Sequence, residues 1–165
     1  MNPLSLIEES AKNFGDSVAL HDLSSGRKIR FRELPDFLRV VIRNAADWVS
    51  SPLVTAMPSS FDHVALLLAA SLSGRPVAPL SPRLPRMEIL RRAAYVGAQG
   101  IYGASNFEKI VSPLRELNDV GTLIFTSGSS GPAKAVAHRW GAHIANAGGA
   151  KERIPLGVLP PVRLS

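Results

Sequence analysis

The feature that most limits what this chain can become is an alternation. Short apolar runs take turns with amphipathic stretches of helical spacing. Leu53 to Met57, Pro76 to Leu80, Gln99 to Tyr102 and Gly121 to Phe125 read as strands. Between them, Phe61 to Ser73 and Pro85 to Val96 read as helices, each stopped by a glycine (Gly74, Gly97). Strands separated by helices of about 12 residues cannot pair through tight turns. Each connection crosses a face of the sheet and returns parallel. The expected fold class is α/β, a mainly parallel sheet flanked by helices.

The first fifty residues add a smaller unit. Leu4, Ile7, Ala11 and Phe14 recur at helical spacing and predict a helix over 3–13. Ser17 to His21 and Lys28 to Phe31 read as strands joined by the turn residues Ser24-Ser-Gly26, a hairpin. Residues 32–49 place Leu34, Phe37, Leu38, Val41, Ile42, Ala45 and Trp48 on one helical stripe, with Pro35 in the first turn, where proline is tolerated. Ser59, Ser60 or Asp62 is expected to cap the helix from Phe61. Phe107 to Leu117 reads as a helix kinked at Pro113.

Composition excludes several classes. With 45% hydrophobic and 19% charged residues, the 165-residue chain can bury a core and is not of disordered type. The absence of cysteine excludes a disulfide scaffold, a thiolate metal site and a cysteine nucleophile. The longest apolar run, Val64 to Leu72, is far short of the roughly 20 residues that span a bilayer. Glu8 and Glu9 stand where a signal peptide is apolar. A soluble, cytoplasmic protein without a membrane span is expected. The net charge, 19 − 13 = +6, invites a nucleic-acid partner. The basic residues are nevertheless scattered, and Trp48, Trp140, Tyr95 and Tyr102 do not interleave with a basic run, so none is expected.

The chemistry concentrates in Thr126-Ser-Gly-Ser-Ser-Gly-Pro-Ala-Lys134. On composition alone this is either a Ser/Gly linker or a polyphosphate cradle. Strand-like Leu123-Ile-Phe125 before it and Ala135-Val-Ala137 after it favour the cradle. Gly128 and Gly131 let backbone N–H groups approach phosphate oxygens. Thr126, Ser127, Ser129 and Ser130 add hydroxyl donors, and Lys134 adds a positive charge. No Gly-Lys pair occurs, so this is not a Walker A loop, and Thr126 stands where G-x-G-x-x-G needs a glycine. At the carboxyl end of a strand, the loop lies where α/β sheets bind ligands. His138 and His143 are five apart with no acidic residue between, which supports no metal site. His21 and His63 read as structural or exposed.

This segment resembles the phosphate-loop signature of the acyl-adenylate-forming superfamily, which includes AMP-forming acyl-CoA synthetases, luciferases and peptide-synthetase adenylation domains. The family pattern is Thr-Ser-Gly, two Ser/Thr, Gly-x-Pro-Lys-Gly. The match covers its first six positions and Lys134; Ala133 replaces the proline and Ala135 the last glycine. Phe31-Arg-Glu-Leu34 is similar to the start of the family's first long helix. His63-Val-Ala-Leu-Leu-Leu-Ala-Ala followed by Gly74-Arg-Pro-Val-Ala-Pro-Leu-Ser-Pro82 is similar to its next helix and strand. Lys134-Ala-Val-Ala-His138, Ala142-His143-Ile and Ile154-Pro-Leu156 resemble the o-succinylbenzoate–CoA ligase branch of menaquinone biosynthesis.

The resemblance implies that residues 1–155 form the N-terminal part of an AMP-dependent synthetase/ligase domain, with 156–165 a tail outside it. It implies ATP, Mg2+ and CoA, and a carboxylic acid substrate. Thr126, Ser127, Gly128, Ser129, Ser130, Gly131 and Lys134 would hold ATP phosphates, with no protein metal ligands and no assigned catalytic residue. The family's adenine and ribose motifs and its C-terminal lysine have no counterpart in these 165 residues, so turnover by this chain alone is not expected. A truncated ligase or a small non-catalytic phosphate-binding module are the two expectations that follow.

Overall fold

The structure, a computed structural model, describes residues 3–44, 52–103, 106–113, 115, 117–126, 133–153 and 162–164. It contains α1 (Pro3–Phe14), β1 (Val18–Asp22), β2 (Lys28–Arg30), a 3-10 turn (Phe31–Glu33), α2 (Leu34–Asn44), β3 (Leu53–Ala56), α3 (Phe61–Leu72) and β4 (Val77–Pro79). These are followed by α4 (Arg86–Tyr95), β5 (Gly100–Gly103), β6 (Phe107–Lys109), β7 (Thr122–Thr126), β8 (Lys134–His138), α5 (Trp140–Arg153) and β9 (Val162–Leu164).

The main sheet has the order β6-β5-β3-β4-β7-β8. Its four inner strands are parallel, with Val54 opposite Ala78 and Ile101, and Val77 opposite Thr122. The edge strands β6 and β8 run antiparallel. The expected α/β class with a mainly parallel sheet is what the chain adopts. A second sheet, β2-β1-β9, holds the expected hairpin, and β9 lies parallel to β1.

Period-two alternation sorts the strand residues between two faces. Leu53 and Val77 point towards α3 and pack with Leu66 and Ala70. Val54, Ala78, Ile101 and Leu123 point the other way and pack with Ile89 and Ala93 of α4. A third cluster, built from Leu20, Ile29, Leu34, Leu38 and Phe61, ties the small sheet and α2 to α3. Leu38 and Val54 are fully buried. Arg27 clamps the third cluster from outside, its guanidinium 4.1 Å from the Phe61 ring centre.

Local signals act where they were expected. Ser60 caps α3, its Oγ accepting from the His63 N–H at 3.2 Å. Gly74 and Gly97 end α3 and α4 with φ of +69° and +76°. Two expectations need correction. The first is the helix over 107–117. Phe107–Lys109 is instead an antiparallel edge strand on β5, followed by irregular chain. Pairing with β5 and contact of the Phe107 and Tyr102 rings at 4.7 Å outweigh a helical periodicity already broken by Pro113. The second is the start of the long helix. Residues 31–33 form a 3-10 turn before α2, closed by the Glu33 carboxylate accepting from the Arg30 N–H at 2.7 Å. The remainder of that predicted helix, 45–49, lies outside the described residues.

Candidate functional site

The parallel strands β3, β4, β5 and β7 put their carboxyl ends on one edge of the molecule. The turn from β7 to β8 leaves from that edge. β7 and β8 pair with Thr122 opposite His138, Ile124 opposite Val136 and Thr126 opposite Lys134. Thr126 and Lys134 therefore bracket the Ser/Gly segment as the last pair of a hairpin. The Thr126 Oγ1 hydroxyl lies 3.4 Å from the Lys134 carbonyl oxygen, to which it donates. Both side chains are exposed. No ion pair among the described residues engages Lys134, so its ammonium is available to an anion. The five other predicted phosphate contacts, Ser127, Gly128, Ser129, Ser130 and Gly131, lie outside the described residues.

Two features on the same edge escaped sequence reasoning. The β3–α3 and β4–α4 connections enclose an open cleft of about 650 Å³ lined by Met57, Ser59, His63, Leu80, Ser81 and Arg83, among others. His63 sits in the first turn of α3 and is half-buried. Its Nε2 lies 2.9 Å from Oγ1 of Thr55, which is fully buried in β3. Burial holds the imidazole pKa below its ordinary value, which favours the neutral ring. The available signal was Thr55 itself, a polar residue inside an apolar strand.

The second feature is a slot of about 470 Å³ between α4 and the hairpin, lined by Arg91, Arg92, Tyr95, Phe125, Ala133 and Lys134. Glu88 is tied to Arg91 and Arg92 at 2.8 and 2.6 Å, and their hydrogen bonds hold its carboxyl down at about 2. Helical spacing i, i+3 and i, i+4 made this triad foreseeable.

The two histidines after the loop go elsewhere. Thr122 Oγ1 lies 2.8 Å from His143 Nε2, at the start of β7, the end away from the loop. Four residues of strand, roughly 13 Å, separate that point from Thr126. The His138 and His143 rings are 5.8 Å apart, and the Trp140 ring is 5.4 Å from His143. Among the described residues, no three His, Cys, Asp or Glu side chains converge as a metal site. No helix among them is long and apolar enough to cross a membrane.

The mainly parallel sheet, the second small sheet and the helices on both faces make up a fold shared with solved AMP-forming acyl-CoA synthetases. Among solved structures, o-succinylbenzoate coenzyme A synthetase from Bacillus subtilis in complex with AMP superposes with a TM-score of 0.75 at 22% identity, over 93% of this chain and 46% of that one. The same enzyme with ATP and magnesium ion gives 0.74 at 18% identity, over 93% and 47%. The N-terminal subdomain of Klebsiella oxytoca NpsA with anthranilyl-AMSN gives 0.64 at 22%, over 82% and 40%. The chain thus spans less than half the length of each of these solved structures. No family model and no curated protein sequence matches it.

Proposed function

We propose that this chain is the phosphate-loop-bearing N-terminal part of an AMP-forming acid–CoA ligase, which joins a carboxylate to AMP and then transfers the acyl group to CoA. The observation that carries this reading is the Thr126–Lys134 closure of the Ser/Gly turn at the carboxyl edge of a parallel sheet, in a fold shared with synthetases solved with AMP and ATP.

The residues present suit a polyphosphate. The Lys134 ammonium has no carboxylate partner among the described residues, and the Thr126 hydroxyl can turn from a long 3.4 Å contact towards a better acceptor. Thr126 to Gly131 would line the phosphates with hydroxyls and backbone N–H groups, and Lys134 would offset their charge. ATP supplies the phosphorus that the carboxylate attacks and the pyrophosphate that leaves. With no acidic cluster among the described residues, Mg2+ would ride on the phosphates rather than on this part of the protein.

The family resemblance covers residues 1–155 and leaves 156–165 as a tail outside it, although Val162–Leu164 of that tail pairs with β1. The absence of cysteine fits a cytoplasmic enzyme. The finer assignment, to o-succinylbenzoate in menaquinone biosynthesis, rests on the segment from Lys134 to His143 and on the Bacillus subtilis fold neighbours. ATP–pyrophosphate exchange by the full gene product, with a carboxylate panel containing o-succinylbenzoate, tests both levels. Exchange with some acid supports the class, and preference for o-succinylbenzoate supports the branch. No exchange with any acid, together with unchanged MgATP affinity in Lys134→Ala, overturns the proposal.

A further inference from the structure

We infer that the slot between α4 and the β7–β8 hairpin is a binding site for a small planar aromatic anion, adjoining the phosphate turn at Lys134. Its walls are apolar and aromatic: the Tyr95 and Phe125 rings stand 6.3 Å apart at 60°. Tyr95 is half-exposed although it lies on the helix that carries much of the core. The rim is cationic. The Arg92 guanidinium lies over Phe125 at 5.2 Å, with Arg91 and Lys134 completing the rim, while Arg115, outside the lining, sits over the Tyr95 ring at 5.3 Å.

Charge balance selects the ligand. Glu88 already answers Arg91 and Arg92. Among the described residues, ion pairs leave Lys134 of the lining without a carboxylate. A neutral apolar ligand would use the walls and leave this cation unanswered. A simple inorganic anion would use the cations and leave the rings wet. A flat aromatic ring bearing one carboxylate uses both, packing against the Tyr95 and Phe125 rings with its charge towards Lys134. The volume of about 470 Å³ falls within the roughly 300–1,000 Å³ of small-molecule sites. The inference does not depend on adenylation chemistry. Because Lys134 belongs to both the slot and the turn, a ligand here would also compete with phosphate for it.

The test is an amide-resonance titration of the 165-residue chain with 1-naphthoate, without nucleotide, against the neutral 1-naphthalenemethanol. The expected result is saturable shifts centred on Arg92, Tyr95, Phe125 and Lys134. The neutral compound should bind about fivefold more weakly, and Tyr95→Ala should weaken naphthoate about fivefold. Lys134→Gln should give a smaller loss, with unchanged circular dichroism in both variants. Equal binding of the neutral compound, shifts centred elsewhere, or indifference to Tyr95→Ala overturns the inference. Since no ATP is present, this outcome is read independently of the ligase proposal.

Discussion

Thr126 and Lys134 face each other as the last register pair of the β7–β8 hairpin, the Thr126 hydroxyl 3.4 Å from the Lys134 carbonyl oxygen. A backbone pair closes the turn, so the lysine side chain itself is not needed to hold it. Lys134→Ala should therefore leave the thermal midpoint nearly unchanged, within about 0.5 kcal/mol as for an ordinary surface position. The affinity for tripolyphosphate should fall about tenfold, the loss of one charged contact. Calorimetric titration beside thermal melts separates the two. A large loss of stability would make Lys134 a structural residue.

His63 gives the structure a pH dependence. Burial holds its folded pKa below the ordinary 6.5. The unfolded chain therefore binds the proton more readily, and protonation favours unfolding. The contribution is complete above about pH 6.5 and is lost as pH falls through the depressed folded value. His63→Gln should flatten the stability–pH curve below pH 6.5, measured by urea denaturation at several pH values. A curve as steep in the variant as in the wild type would assign the dependence to other groups. Thr55→Val, which removes the hydroxyl 2.9 Å from Nε2, should cost about 1 kcal/mol.

Gly97 couples the end of α4 to the chain after β6. Its φ is +76°, and a Cβ there would meet the Pro113 carbonyl oxygen at 2.8 Å and the Arg115 backbone nitrogen at 2.9 Å. Both neighbours are backbone and cannot swing aside. Gly97→Ala should destabilise by about 2–4 kcal/mol, combining left-handed strain with overpacking. Gly74→Ala makes the control, because at φ +69° its Cβ would meet nothing within 4 Å. It should cost only about 1–2 kcal/mol. Denaturant midpoints of the two variants distinguish steric conflict from backbone strain.

What the amino-acid sequence discloses follows from how local each cause is. The parallel core was legible because Leu53–Ala56, Val77–Pro79 and Thr122–Thr126 are mostly apolar, strand-like runs, with the glycine-stopped helices α3 and α4 among them. The segment from Thr126 to Lys134 stood out because strand-like runs flank a stretch of turn residues, but the register that sets Thr126 opposite Lys134 did not. β6 was not legible, since the helical periodicity over 107–117 hid a short strand that folds straight back on its neighbour β5, where Phe107 packs over Gly100 and Tyr102. The Thr55–His63 contact and the Tyr95–Phe125 slot were hidden for another reason. Each depends on how a helix seats on a strand, the adjacent β3 for His63 and β7, distant in the chain, for Tyr95.

The hairpin presents one more testable surface. Leu123, Phe125 and Ala135 point to the α4 face and join the core, so alternation sends Ile124 and Val136 the other way. Opposite each other in register, they remain 40% and 42% exposed, on a hairpin whose outer strand is a sheet edge. An apolar pair beside an open edge favours association through that face. The double substitution Ile124→Thr and Val136→Thr keeps β-branched side chains that suit a strand. It should leave chemical stability within about 1 kcal/mol. It should also lower the concentration-dependent mass seen by light scattering. If the wild-type chain is already monodisperse and the variant unfolds more easily, the pair belongs to the stability of the hairpin and not to a sticky surface.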